Sequence, residues 1–566
     1  MKNQPSIDKL FYPASIAVIN ESKETDICDT MSIKLSKFFT GELHQAASIA
    51  EIPNPIDVVI FNGSESYFKQ IYQESSAKGV SHIILLSSFN NEVIGELKSS
   101  TKGWLPKVCG GLSCGIANYW WGSIMLTDYF LDRVRHDGSN GLISVNDELS
   151  RKVLQIAKGK SLGFNLIASL GFEADLKVNE VINYYIAAPE VKRVYLVFNK
   201  DISLEQLKEN VEAAVAITKP MIVLKASWTF EERLLLEKKR IICVSDPWEM
   251  VSKGKALELE YYLNQELGVI CSDKTLSLMV VDRLTKIIEP SLLDVWEQPP
   301  EDKAGLVRID KYLTTTKAHK ILIVWQGEQQ ILNKIIDDCK YHNKEVLLVT
   351  SEEYNKASKL FYFDDISNVC KALWFSQHWH GELALDNSQS RNSYYAKSRF
   401  IALSQLSCVF DDKSDFDITE EKVVEILKLY NIDLISQDRL TSYHMFEPEK
   451  TVEFPFRFNI NISFNVNLGP VLVLELIGIN GKPIKSSSTI APVTRYEIWR
   501  LIVDLGIINE LEIIDNADQL INLLMNITQF AIDVEQYISQ IEFNSIRIFP
   551  ELKGLMVSSL HMGRRF

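Results

Sequence analysis

The chain has 566 residues, 46% hydrophobic and 24% charged, with 74 Asp and Glu against 60 Lys and Arg for a formal net charge of −14. That length exceeds what one hydrophobic core organises, so several domains of about 100–200 residues are expected. The acidic balance argues against a broad nucleic-acid surface, which needs clustered Lys and Arg facing phosphates, and no run approaches the ~20 apolar residues of a membrane span.

The opening MKNQPSIDKLF lacks the apolar centre of a secretory signal, so a cytoplasmic protein is expected. Eight cysteines are scattered without C-x-x-C spacing and read as reduced thiols. Apolar runs at 15–19, 57–61, 82–87, 141–144, 166–170, 194–198, 221–225 and 241–244 are predicted strands. Helical periodicity fills the gaps, for example 31–39, 148–158, 177–187 and 204–217. Strands apolar on both faces and separated by helices predict parallel sheets covered on both sides, the doubly wound α/β architecture. The first unit is expected to end near 121–127, with the aromatic stretch 118–130 as a buried helix between two domains. GSNGLISVNDEL opens a second unit. A third alternation begins at Val269, runs through KILIVWQG and KEVLLVT, and fades in LDNSQSRNSYY. The acidic DDKSDFDITEEK then reads as a linker into a helix, with Asp417 as N-cap and Glu420 as its capping-box partner. Farther on, Phe456, Phe458, Ile460, Ile462, Phe464 and Val466 alternate with polar residues, which predicts a half-buried strand with a solvated, asparagine-rich face.

Several segments follow one another in the order and wording of a known family: LFYPASIAVI, IPNPIDVVIF and AKGVSHIILLSS; then GFNLIASLGFEADLKVNEVINYYIAAPEVKRVYLVF and KPMIVLKA; then GPVLVLELIG, APVTRYEIWRLI and ISQIEFNSIRIFPELKGLMV. They resemble the NDP-forming acyl-CoA synthetases (acetate:CoA ligase, ADP-forming), relatives of succinyl-CoA synthetase. The resemblance implies a multidomain α/β chain: a Rossmann-like CoA-binding domain at 1–127, two flavodoxin-like, succinyl-CoA synthetase-like domains at 128–266 and 267–405, and a truncated ATP-grasp-like α+β domain at 406–566. For a working enzyme it also implies a relay, in which an acyl phosphate phosphorylates a histidine on a mobile segment that carries the group to ADP and Mg²⁺.

Each station of that relay can be checked against the residues. The CoA turn of the family carries glycine, so that backbone amides approach a pyrophosphate; here it reads Asn20-Glu21-Ser22-Lys23-Glu24, followed by Asp26 and Asp29. Two carboxylates within about 5 Å of a diphosphate repel it by roughly 1–4 kcal/mol each at effective dielectrics of about 20–80. The positions left for CoA or phosphate are Asn20 and Ser22, then Gly110 and Gly111 of GGLSCG, which replaces the family's G-P-N-C-x-G turn. Ser144 and Asn146 complete the set, in Ser144-Val145-Asn146-Asp147, where the family has S-Q-S-G and this chain ends on a carboxylate. The strand that ends in glutamate in the family ends here in Phe198-Asn199, and no histidine occurs between His136 and His319. The phosphohistidine station is therefore missing from the segment after VLKA. Only about twenty residues separate EEKVVEILKLYNIDLI from FPFRFNI, too few for the lysine and flap that cover ATP. Glu542 and Asn544 match a Mg²⁺ pair whose expected aspartate falls at Ser558.

Two other groupings are weighed. His378-Trp379-His380, read as extended with Glu382 nearby, would place two imidazoles on one side, but a polar loop with a packing tryptophan is favoured over a metal site. Cys109 and Cys114 are read as structural thiols. The sequence thus predicts a catalytically degenerate acyl-CoA synthetase-like protein acting as a binding or assembly scaffold. It would have no catalytic residue and no assured cofactor, with CoA or a related metabolite as a ligand still open, ATP and Mg²⁺ disfavoured, and a protein partner or homo-oligomer expected. The alternatives are a divergent acyl-CoA ligase, a CoA- or acyl-CoA-binding sensor, and a regulator that keeps one pocket for a smaller metabolite.

Overall fold

The computed structural model describes residues 6–21, 27–53, 55–88, 91–131, 138–198, 219–262, 265–285, 287–296, 303–350, 360–363, 365–386, 420–432, 434, 457–466, 468–478, 480–506, 517–549, 554–556 and 559–564. Two compact units are present: Met1–Thr229 with Lys239–Gly381, and Phe230–Lys238 with Glu382–Phe566.

The first unit contains three sheets, and all eight strands read from the sequence are found in the first two. The first stretch runs α1 (Asp8–Phe11), β1 (Ser15–Asn20), α2 (Ile27–Phe38), β2 (Glu42–Ala46), β3 (Val58–Asn62), α3 (Glu65–Lys78), β4 (His82–Leu85), α4 (Asn91–Ser100) and β5 (Lys107–Gly110). Its strands pair in parallel in the order β2-β1-β3-β4-β5. The second stretch adds β6 (Gly115–Asn118), β7 (Ser123–Leu126), α5 (Asp128–Leu131), β8 (Asn140–Ser144), α6 (Asp147–Gly159), β9 (Phe164–Ser169), α7 (Val178–Ala187), β10 (Arg193–Val197) and β11 (Met221–Leu224). The chain then forms α8 (Phe230–Lys238), which belongs to the second unit, and returns to β12 (Ile242–Val244) and α9 (Pro247–Glu258). The strand order is β12-β11-β10-β8-β9-β6-β7. The third stretch holds β13 (Leu267–Cys271), α10 (Lys274–Leu284), β14 (Leu293–Trp296), α11 (Lys303–Thr315), β15 (Lys320–Trp325), α12 (Gln329–Tyr341), β16 (Glu345–Thr350), β17 (Phe361–Phe363) and α13 (Ile366–Asp386), with strand order β14-β13-β15-β16-β17.

Counted along each parallel ladder, all three sheets have the order 2-1-3-4-5. This is a doubly wound order in which the crevice lies beyond the C-terminal ends of the first and third strands. Strands such as β1, β3 and β9 are apolar on both faces and buried nearly throughout, as a sheet covered by helices on both sides requires.

Two expectations are corrected here. Residues 118–130 do not form a buried helix: β6 and β7 are an antiparallel hairpin on the second sheet, and Trp120 and Trp121 lie exposed at its tip. The buried Asn118 makes the turn, its Oδ1 accepting from the amides of Trp120 and Trp121, and Gly122 supplies a φ of 78° that favours glycine. His378-Trp379-His380 is not extended either but lies inside α13, where positions two apart do not share a face. The helix expected at 204–217 and the Asp417 cap lie outside the described residues.

The second unit combines α14 (Glu420–Leu429), β18 (Arg457–Asn465), β19 (Gly469–Ile477), β20 (Pro483–Ile490), α15 (Arg495–Leu505), α16 (Ala517–Val534), β21 (Ile538–Phe549), β22 (Gly554–Met556) and β23 (Ser559–Arg564). Its antiparallel sheet runs β20-β19-β18-β21-β22, with β23 also paired to β21. The expected alternation holds in the middle of β18, where Phe458, Ile460 and Ile462 join the core with Leu501, Leu524 and Phe530 from the helices and Phe464 packs against it; Val466, past the end of the strand, is 88% exposed, and Phe456 lies outside the described residues. On the other face, α8 packs Leu234 against Val471 and Ile490.

Candidate active site and the loops that replace it

The first crevice lies beyond β1 and β3, where the chain leaves the sheet through Glu21 and through Gly63-Ser64. Ser64 is the N-cap of α3 but makes no side-chain cap of its own. Instead, the Glu21 carboxylate accepts from the Ser64 amide at 2.5 Å and from Ser64 Oγ at 2.8 Å. The neighbouring Gly63 amide donates to Ser87 Oγ at 2.8 Å, and that hydroxyl donates to Asn62 Oδ1 at 2.8 Å. A negative charge at a helix N-terminus is favourable, and an incoming anion would use the same amides. Glu21 thus occupies the position of a ligand. Asn20 closes β1, half-buried, while Ser22 lies outside the described residues.

The turn at Gly110 and Gly111 serves packing. The Gly110 carbonyl accepts from the Ala174 amide at 2.8 Å, and that of Gly111 from the Phe172 amide at 2.9 Å. Gly110 has a φ of 121°, and a Cβ there would sit 2.3 Å from the Leu85 carbonyl oxygen, so the chain tolerates only glycine at that close approach.

The second crevice lies beyond β8 and β10, at the start of α6. Asn146 is the N-cap, its Oδ1 accepting from the Leu149 amide at 3.0 Å. Asp147 turns inward: its Oδ1 accepts from Ser144 Oγ at 2.6 Å, and Ser169 Oγ, from the end of β9, reaches both carboxylate oxygens at 2.9 and 3.0 Å. Ser150 Oγ donates to Ser144 Oγ at 2.7 Å, and the Cys114 amide donates to Ser169 Oγ at 2.7 Å. Burial pushes the Asp147 carboxyl above the usual aspartate range, against hydrogen bonds from Ser144, Cys114 and Ser169 that lower it. The Cys114 thiol is raised, first by burial and then by the Asp147 charge, and burial pushes Cys109 up to about 12. Both sulfurs are protonated thiols near neutrality, with little nucleophilic character.

Between β11 and β12, where the resemblance implies a mobile histidine segment, the chain is α8. This helix is fixed within the second unit by Lys238 to Glu497 at 2.8 Å, Arg500 to Glu237 at 2.9 Å and Asn465 to Glu231 at 2.8 Å. On β21, Glu542 pairs across the ladder with Asn461 and His561 and accepts from Gln540 Nε2, and Asn544 lies opposite Ser559. Among the described residues no group of three or more His, Cys, Asp or Glu is placed to hold a metal ion. Among the described residues no cysteine forms a disulfide. No described helix is long and apolar enough to cross a membrane.

Residues 137–236, from the entrance of the second sheet through most of α8, match the family model described as succinyl-CoA ligase like flavodoxin domain. Acetate-CoA ligase [ADP-forming] of Methanocaldococcus jannaschii is 23% identical over 240 residues, 38% of this chain and 33% of that protein. The chain is similar in sequence to the NDP-forming acyl-CoA synthetases. Acetate-CoA ligase [ADP-forming] II subunit alpha of Pyrococcus furiosus is 24% identical over 243 residues, 39% of this chain and 52% of that one. The chain therefore spans a third to a half of the length of these two curated relatives. The fold is shared with PH0766 from Pyrococcus horikoshii OT3, at TM-score 0.54 and 18% identity over 66% of this chain and 100% of that one. It is also shared with the dinucleotide forming acetyl-coenzyme A synthetase 1 of Ca. Korarchaeum cryptofilum solved with phosphate and ADP, at TM-score 0.53 and 14% identity over 67% and 97%. Within this family fold, the carboxylates of Glu21 and Asp147 were legible as obstacles, but their partners Ser64, Ser169 and Cys114 were not. Those come from remote segments, and no spacing in the sequence joins them.

Proposed function

We propose that this protein is an acyl-CoA synthetase-like chain that does not transfer phosphoryl groups and instead works as a binding or assembly scaffold. One observation carries the reading: at two of the three doubly wound crevices the chain's own carboxylate stands where a phosphate would dock, Glu21 on the Ser64 amide at the start of α3 and Asp147 on the Ser144 and Ser169 hydroxyls beside the start of α6. A diphosphate would have to break these bonds and accept like-charge repulsion of roughly 1–4 kcal/mol per carboxylate. The lack of a histidine between His136 and His319 supports the same reading, as does the fixation of α8 by ion pairs. That one relative is named as a subunit alpha supports a partner chain or a homo-oligomer.

Calorimetric titration with CoA and acetyl-CoA tests the binding half, and exposure to radiolabelled ATP with Mg²⁺ tests the transfer half. The scaffold reading expects no saturation below ~100 μM and no protein-bound label. Saturable CoA binding without labelling would favour a sensor, and a labelled residue would establish a divergent ligase.

A further inference from the structure

A cavity of about 580 Å³ opens within the first unit, between α9, β17 and the start of α13. That volume falls in the range of small-molecule sites, about 300–1,000 Å³. Its charge runs against that of the chain. Lys160, Lys253, Lys255 and Lys371 line it beside a lone carboxylate, Glu249, in a protein of net charge −14. Clustered like charges over low-dielectric walls concentrate ions of the opposite sign.

The walls are aromatic. Trp248 stands at the rim, 60% exposed, with Trp374, Phe375 and Tyr362 farther in. Lys255 is buried, bonded to the Tyr362 carbonyl and 4.6 Å above the Phe363 ring, which holds a positive charge in the floor. Lys253 bonds Glu249 at 2.8 Å and lies 5.8 Å from the Phe375 ring. On α9, Trp248, Ser252 and Lys255 recur at helical spacing and line the cavity. The opposite side of the helix turns to the second sheet, where Gly254 leaves room for Tyr195: a Cβ there would lie 2.2 Å from its hydroxyl oxygen.

We propose that this cavity binds a small organic anion built on a flat aromatic ring. The ring stacks on Trp248, and its phosphate or carboxylate meets Lys371 and Lys253. An exposed indole offers a rigid stacking face at little entropic cost, and two exposed or half-buried ammonium groups neutralise an anion without displacing a core contact. None of these residues belongs to the Glu21 or Asp147 loops, so the inference stands apart from the scaffold reading.

The full-length protein is titrated by calorimetry, with tryptophan fluorescence followed in parallel, against adenosine monophosphate, benzoate and inorganic phosphate. The expected result is one-site saturation by a ring-bearing anion with a Kd below ~1 mM. Saturation by the nucleotide alone marks a phosphate ligand, by benzoate alone a carboxylate ligand, and either supports the proposal. Lys371→Glu and Trp248→Ala should each weaken binding about tenfold; both positions are exposed, so thermal melting should stay close to that of the parent. The proposal is overturned if neither ring-bearing anion saturates by ~10 mM, if inorganic phosphate binds as tightly as the nucleotide, or if affinity survives both substitutions.

Discussion

Glu21 and Asp147 each place a carboxylate at a crevice, yet their surroundings differ. Glu21 is exposed, and its carboxylate accepts from both the amide and the hydroxyl of one residue, Ser64. Asp147 is half-buried and gathers donors from β8 and β9, with Cys114 beside it, at a point where other hydroxyls depend on it in turn. The first carboxylate can be moved aside by turning one side chain. The second is part of the packing between strands. A charge that caps a helix in solvent and a charge that organises an interior therefore have unlike consequences when removed.

The largest expected difference is in stability. Asp147→Ala strands the hydroxyls of Ser144 and Ser169, at a cost of about 2–4 kcal/mol, whereas Glu21→Ala removes only a cap, at about 0.5–2 kcal/mol. Urea denaturation of the two variants reads the contrast directly; equal losses would break it.

Next comes the pH dependence. The folded-state pKa of Asp147 is raised above the 3.8 of a free aspartate, so the folded protein holds this proton more tightly than the unfolded chain. Stability from this group is fully present below 3.8 and is lost as pH rises through the folded pKa, with a slope of up to about 1.4 kcal/mol per pH unit. Asp147→Asn should abolish that component of the melting profile. The buried His82 works with the opposite sign: burial, followed by the charge of Lys107, lowers its pKa from 6.5 to about 3. Its contribution is present above 6.5 and is lost as pH falls toward about 3. A His82→Gln variant that still lost stability over that acid window as the parent does would contradict this assignment.

A smaller effect is expected in ligand binding. Glu21→Ser frees the Ser64 amide and should raise affinity for inorganic phosphate about tenfold, more than Asp147→Ser, whose crevice must also repack. Calorimetry on the two variants decides between them, and a greater gain at Asp147 would invert the comparison. The smallest effect concerns Cys114. Burial leads its raised pKa and the Asp147 charge follows, so Asp147→Asn should speed its alkylation by iodoacetamide only a few-fold.

Much of this was readable from the sequence. The continuous apolar runs at β1, β3, β8 and β9 announced parallel sheets because strands covered on both faces leave no polar alternation to confuse with a helix. The hairpin at 118–130 was missed because five aromatic residues in thirteen raise apolar density without showing which backbone angles Asn118 and Gly122 impose. The carboxylates at 21 and 147 were visible as charges in the wrong place. Their function as internal ligands depends on hydroxyls many residues away, and such long-range pairing leaves no local trace. The lysine-lined cavity was invisible for the same reason, since α9 and α13 are far apart along the chain.

The placement of α8 has a consequence for biosynthesis. This helix is made long before its partners Val471, Ile490, Glu497 and Arg500 emerge, so a nascent chain must close β11 and β12 around a helix whose apolar Leu234 still awaits cover. Translation that stalls between the two events leaves a sticky intermediate, and ribosome-bound chains halted before residue 471 should recruit chaperones more strongly than chains halted after residue 500.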